Sequence, residues 1–261
     1  MDNYLIFHMW RGVREGLIER HAFFVNEARM RLLAQFTEES MKADADRHAE
    51  TWLAERAQNF NPERDDPGSN YEAAHDAGVG FYLSLEDLRS VTQLSIVAGM
   101  YHEWEKQLRD WLVRELMRIA RGEHLRKAVW MATVDQIFEF LESWQWPVKT
   151  RAYYRDLRLC HLVVNVYKHG GGTSLTELRK LAPEMLGQRA DQPLYLTSVL
   201  DHTHLTLDDQ NIDRFSEAIL AFWHDRPETV SDGQITNPPK WLLAALGKDA
   251  NGRSFLTSAS G

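Results

Sequence analysis

"RAYYRDLRLCHLVVNVYKHGGG", residues 151–172, decides how the rest of the chain is read. Its apolar residues run almost all the way round a helix and three glycines close it, yet it also carries arginines, histidines and a lysine. At about 100° per residue, Arg151, Tyr154, Arg155, Arg158, His161, Asn165 and His169 fall in one sector roughly 120° wide. Leu157, Leu159, Cys160, Val163, Val164 and Tyr167 fall outside that sector and are core candidates, while Leu162 is the apolar exception inside it. A buried polar group without a partner costs roughly 2–7 kcal/mol on transfer scales, so the line must face water, a partner or acidic side chains. The glycines, followed by Thr173, end the helix as a C-cap and hinge.

Helical periodicity dominates on both sides of this segment. Upstream, "VDQIFEFLESW" belongs to a helix expected over about 124–143, which ends before Pro147. Before it, "SLED" at 84–87 matches a capping box and predicts the start of a long helix reaching about Arg121 and Gly122. Its apolar stripe includes Leu94, Val97, Ala98, Tyr101, Trp104, Leu108, Trp111, Leu112 and Leu116. The segment 60–80, with its prolines, glycines and acidic residues, predicts a long surface loop. Leu5, Met9, Val13, Leu17 and Ile18 sit at helical intervals, so the first 57 residues read as one long helix or two in line, with a break near "TEES" at 37–40.

Downstream, "SLTE" at 174–177 is a second capping box, opening a short helix to about Leu186. "QPLYLTSVL" and "THLTL" suggest a small β-hairpin over 192–207. An amphipathic helix follows over about 208–224, and residues 246–261 read as a disordered tail. The expectation is a mostly α, long-helix bundle forming one domain over 1–245, with a small β element.

Composition bounds the function. The chain has 261 residues, 44% hydrophobic and 26% charged, and one cysteine, Cys160, which excludes an internal disulfide and a cysteine-rich zinc site. No apolar run approaches the roughly 20 residues of a membrane span, and "MDNYLIFHMWRGVREG" resembles no leader, so the expected location is the cytoplasm. The formal charge of -8 argues against non-specific coating of nucleic acid. Locally the balance reverses, because Lys149, Arg151, Arg155, Arg158 and Lys168 face only Asp156 between 149 and 169.

Two readings of the polar line stand side by side. In the structural one, Glu103, Glu105 or Asp110 pairs with the arginines, and His161 and Asn165 bond to backbone or to each other. In the functional one the line is a site. A long-helix bundle with Arg and His on a late helix, closing in His then glycine, resembles the HEPN superfamily of all-α, nucleic-acid-associated domains. The family motif is an Arg followed four to six residues later by His, often with a polar residue after the Arg. "RDLRLCH" supplies Arg155, Asp156 and His161, whereas "VNVYKH" supplies Asn165 and His169 with Val164 at the position of the family's arginine.

The resemblance implies metal-independent RNA cleavage, in which His takes a proton from a ribose 2′-hydroxyl and Arg stabilises charge on the phosphate. The residues it points to are Arg155, Arg158, His161, Asn165 and His169, with Glu103, Arg151, Tyr154 and Lys168 in support or on the RNA. It also implies a homodimer with the motif helices near its axis, a toxin or phage-defence role, and no cofactor. The alternative is a non-catalytic helical module that recognises a protein partner, such as one encoded in the same operon.

Other signals are weaker. "DHTH" at 201–204 has the form of a metal pair but reads equally as a turn. "HEWE" at 102–105 lacks the second His of a helical zinc site, and "GGGT" follows a helix where a phosphate loop precedes one. The nine tryptophans, including Trp104, Trp111, Trp130 and Trp223, sit at helical spacings that read as core, while Trp144 and Trp146, before a proline, are candidates for stacking on a base.

Overall fold

In the computed structural model, which describes residues 5–58, 60–61, 63–119, 122–188 and 199–249, the chain starts with a strand where helical spacing is expected. This strand, β1 (Leu5–His8), pairs antiparallel with β2 (Thr229–Ser231), setting Phe7 opposite Val230. The pairing is driven from the core side. Phe7 is fully buried and stacks on Trp144 with ring centroids 3.8 Å apart. This is the small sheet of the fold. The hairpin expected over 192–207 falls partly outside the described residues, at 192–198, and its second half overlaps a 3-10 turn, His202–His204. The Asp201 carboxylate, accepting from the Thr203 N–H at 2.9 Å, stabilises that turn in place of a strand.

Helix α1 (Arg11–Ala28) runs into a π-helical turn, Arg29–Leu33, and α2 (Glu38–Ala57) restarts at Thr37, whose side chain accepts from the Ser40 N–H. The break therefore lies where "TEES" places it. The loop expected over 60–80 is much shorter, because α3 (Pro67–Ile119) already begins at Pro67. Proline suits a first helical position, where its missing N–H is no loss, and the Asp66 carboxylate accepts from the N–H groups of Gly68 and Ser69 at 3.2 and 3.1 Å. Residues 84–87 thus lie inside the helix, and the Ser84 hydroxyl donates back to the Gly80 carbonyl at 2.8 Å. Gly78 is there for proximity. A Cβ at that position would stand 3.1 Å from Ala49 Cβ and 3.2 Å from the Ala45 carbonyl oxygen on α2.

From Gln93 onward α3 becomes the spine of the molecule. Of the stripe read from sequence, Leu94, Val97, Tyr101, Trp104, Leu108, Trp111, Leu112 and Leu116 are buried and Ala98 is half-buried at its edge. The helix expected over 124–143 is two, α4 (Glu123–Met131) and α5 (Val134–Glu142), because a Thr133–Gln136 capping box starts a new helix after Ala132. Trp144 and Trp146 are buried, not stacking platforms: Trp146 donates its indole N–H to Asp225 at 2.7 Å. Next come α6 (Tyr154–His169), α7 (Thr173–Leu181) and α8 (Asp209–Asp225), the last capped by Asp208. A final helix, α9 (Lys240–Lys248), extends past residue 245 into the expected tail. The Asp249 carboxylate then folds back to accept from the N–H groups of His124 and Leu125 at the start of α4, and residues 250–261 lie outside the described set.

Two regions result. The rear of α3 packs with α1, α4, α6 and α8 in a body built around one core. The front of α3 and α2 form a two-helix arm. Residues 37–90 hold 13 Asp and Glu against five Lys and Arg, and the rest of the chain holds 25 of each. The whole net charge of -8 therefore sits on the arm.

Candidate nucleic-acid interface

Helix α6 is buried on most of its girth, as its sequence indicates. Leu157, Leu159, Cys160, Leu162, Val163, Val164 and Val166 are all in the core, including the apolar exception, whereas Tyr167 is exposed with its hydroxyl 3.1 Å from Ser95 Oγ on α3. Burial pushes the Cys160 thiol well up, so it is inert packing.

The polar residues divide among different neighbours. Arg151 Nε lies 3.0 Å from Asp225 Oδ2, and the half-buried Tyr154 packs edge-on against Phe138, its centroid 5.8 Å away. Arg155 is exposed and reaches the Leu181 carbonyl at the end of α7 at 3.4 Å. Arg158 donates to both Asp135 oxygens at 3.3 and 3.2 Å and to Glu177 at 2.7 Å. Burial opposes its charge, but the bond to Glu177 and the charges of Asp135 and Glu177 outweigh that, and its pKa is raised. The acidic partners expected from α3 are thus replaced. Glu103 pairs along its own helix with Lys106 and Gln107, Glu105 pairs with Arg109, and Asp110 is exposed. Glu177, read from sequence as a capping residue, turns to Arg158 while Gly172 stands at the α7 N-cap.

His161 faces α3. Its Nδ1 is 2.6 Å from the Tyr101 hydroxyl and its Nε2 is 2.9 Å from Asn165 Nδ2, so both ring nitrogens are engaged. The bond to Asn165 is part of the structural reading; Tyr101, 60 positions away in sequence, is the partner that reading lacks. Burial, then the nearby Arg158 charge, lowers the His161 pKa and keeps the ring neutral near pH 7. Burial, then Glu105, raises the Tyr101 pKa, so its hydroxyl stays protonated. Arg155 and His161 therefore point to opposite flanks of α6, one toward α7 and one toward α3. In the other register the position of the arginine is Val164, a core residue.

The exposed end of the line is different. Lys168 and His169 close α6 in solvent, where positive charge is favourable at a helix C-terminus. Lys168 also lines a cavity of about 410 Å³ with His102, Glu105, Lys106, Arg109 and Trp130. The floor is fixed by Arg109, which is buried and donates to the carbonyls of Val129 at 2.6 Å and Ala132 at 2.8 Å, as well as to Glu105. This ties the end of α4 to α3 and sets Trp130 at the rim, half-exposed and not in the core that its helical spacing indicates. His102 lies 4.0 Å from Glu105; burial lowers its pKa, and the lysine charges add to that against Glu105. No sequence motif marks Trp130, Lys106 and His102 as one group, because they meet only through the α3–α4 crossing.

No protein-family model matches the sequence, and no curated protein or solved structure matches it.

Proposed function

We propose that this chain is a HEPN-like helical protein that binds RNA on the face shared by α3 and α6, without completing a cleavage site from one chain. The observation that carries this reading is the cavity whose rim holds Lys106, Lys168, His102 and Trp130 while the acidic surplus of the chain lies on the arm. Phosphates are bound by clustered cations and bases by exposed aromatic faces, and this rim offers both. Cleavage is not part of the proposal. A general base must reach the 2′-hydroxyl with a free nitrogen, and both nitrogens of His161 are engaged. Arg158, the nearest guanidinium on the same helix, is held by two carboxylates.

The test is to incubate labelled single-stranded RNA with purified protein in EDTA, reading complex formation and strand integrity together. Binding with intact RNA is the expected result. Metal-independent cleavage that disappears in His161→Ala or His169→Ala would replace this reading with the ribonuclease that the resemblance implies.

A second reading is favoured by the arm, namely docking to a basic protein. Leu53, Ala54, Phe60, Pro67 and Tyr71 line an apolar groove of about 460 Å³ at the arm's tip, beside acidic Asp65 and Asp66. Copurification with the product of a neighbouring gene, lost on Asp65→Lys with Asp66→Lys while RNA binding persists, would support that reading.

A further inference from the structure

We infer that the cavity between α3, the end of α4 and the last turn of α6 is a pocket for one terminal nucleotide, with the base against Trp130 and the terminal phosphate between Lys106 and Lys168. This rests on the RNA-binding reading and narrows it to strand ends. Three features of the cavity argue for a single phosphorylated nucleotide over a passing strand.

Size comes first: about 410 Å³ is the scale of a small-ligand pocket, room for one nucleotide in a depression that is open to solvent. Second is the distribution of charge. Glu105 is the acidic group lining the cavity, and Arg109 engages it. Arg109 also takes the Val129 and Trp130 carbonyls in the last turn of α4 and the Ala132 carbonyl just after it, and so offsets the negative end of that helix at the floor. Lys168 has no ion pair among the described residues, and Lys106 has an exposed pair with Glu103 at 3.8 Å, weak enough to yield to a phosphate. A terminal phosphate carries up to two charges where an internal diester carries one, so two lysines favour the end. Third is the aromatic wall. Trp130 is 44% exposed while Arg109 holds its backbone carbonyl, which leaves an exposed indole on an anchored backbone beside the cations. Stacking accepts any base, so the pocket selects for the phosphate and not for sequence.

The same chemistry is offered by a phosphorylated strand end and by a free mononucleotide, and the experiment separates them. Short single-stranded RNAs with a 5′-phosphate, a 3′-phosphate or neither are titrated by fluorescence anisotropy, with AMP and adenosine as competitors. Wild type is compared with Trp130→Ala and with the pair Lys106→Ala and Lys168→Ala, all surface changes whose folding is checked by circular dichroism. One phosphorylated strand is expected to bind about tenfold or more tightly than its unphosphorylated form. AMP competes and adenosine does not. The lysine pair removes the phosphate preference, and Trp130→Ala weakens all strands alike. Equal binding of all strands with no competition by AMP overturns the terminal pocket and leaves the RNA reading intact. Binding of AMP without any strand supports the pocket and overturns the RNA reading, and binding of neither overturns both.

Discussion

The two halves of α3 are one continuous helix with opposite surroundings. From Gln93 to its end it buries Trp104, Leu108, Trp111 and Leu112 to 1% exposure or less, and several helices share the load. Ahead of Gln93 it has α2 for company, and the buried residues of that arm are few: Met41, Ala45, Ala74 and Gly78. Since burial supplies most of the drive to fold, at about 25 cal/mol per Å² of apolar surface, the arm should open long before the body does. Charge divides at the same place. An overall charge of -8 reads as a poor nucleic-acid binder, but that inference belongs to the arm; the body is neutral and its α6 face basic.

The largest effect expected from breaking this contrast is in the body. Trp104→Ala removes a side chain packed edge-on against Phe222 at 5.2 Å and should destabilise global unfolding by about 3–5 kcal/mol, measured by urea titration. Acidification probes the body next. His21 sits buried between α1 and α8, 2.9 Å from Ser216, and burial lowers its pKa to about 4 despite the bond to Ser216. Its folded pKa lies below the unfolded value of about 6.5, so the unfolded chain takes the proton first and stability falls as pH drops from about 6.5 toward 4. The fall attributable to His21 is on the order of 3 kcal/mol, and His161 adds in the same direction. In His21→Gln the urea midpoint should decline less between about pH 6.5 and 5.

Gly78→Leu carries the contrast to the arm. Its side chain has no room against Ala45 and Ala49, so a local penalty of about 1–3 kcal/mol is expected. Hydrogen exchange should then accelerate across residues 38–91 while protection in α6 and α8 stays unchanged; a uniform loss would show that arm and body fold as one unit. Smallest is Leu83→Ala, an exposed position on the arm, where a change within about 0.5 kcal/mol is expected from the same urea titration.

What the sequence discloses follows the same division. In the body, strong amphipathic patterns and end signals agree with the packing: α8 begins after Asp208 as read, and α6 ends at Gly170, which has a positive φ of 74°. In the arm, local signals mislead. Pro67, Gly68, Gly78 and Gly80 look like a loop, but a proline at the first helical position and a glycine at a close helix crossing are compatible with helix, and only the presence of α2 reveals which applies. The site was half legible. The polar line on α6 is a matter of helical spacing and could be read directly, whereas Tyr101, Asp135 and Glu177 reach it through chain crossings that no local pattern encodes. The same holds for Trp130, placed at the rim by Arg109.

The central claim is that the α3–α6 face of the body binds RNA through Lys106 and Lys168. The most direct measurement is the salt dependence of single-stranded RNA affinity for wild type and for the Lys106→Ala, Lys168→Ala pair. The account predicts measurable binding by wild type, and for the pair a weaker affinity with a log–log salt slope shallower by about 1.4, the release of counterions from the two strand charges that the lysines neutralise. No binding by folded wild type, or a slope unchanged when both lysines are removed, would contradict it.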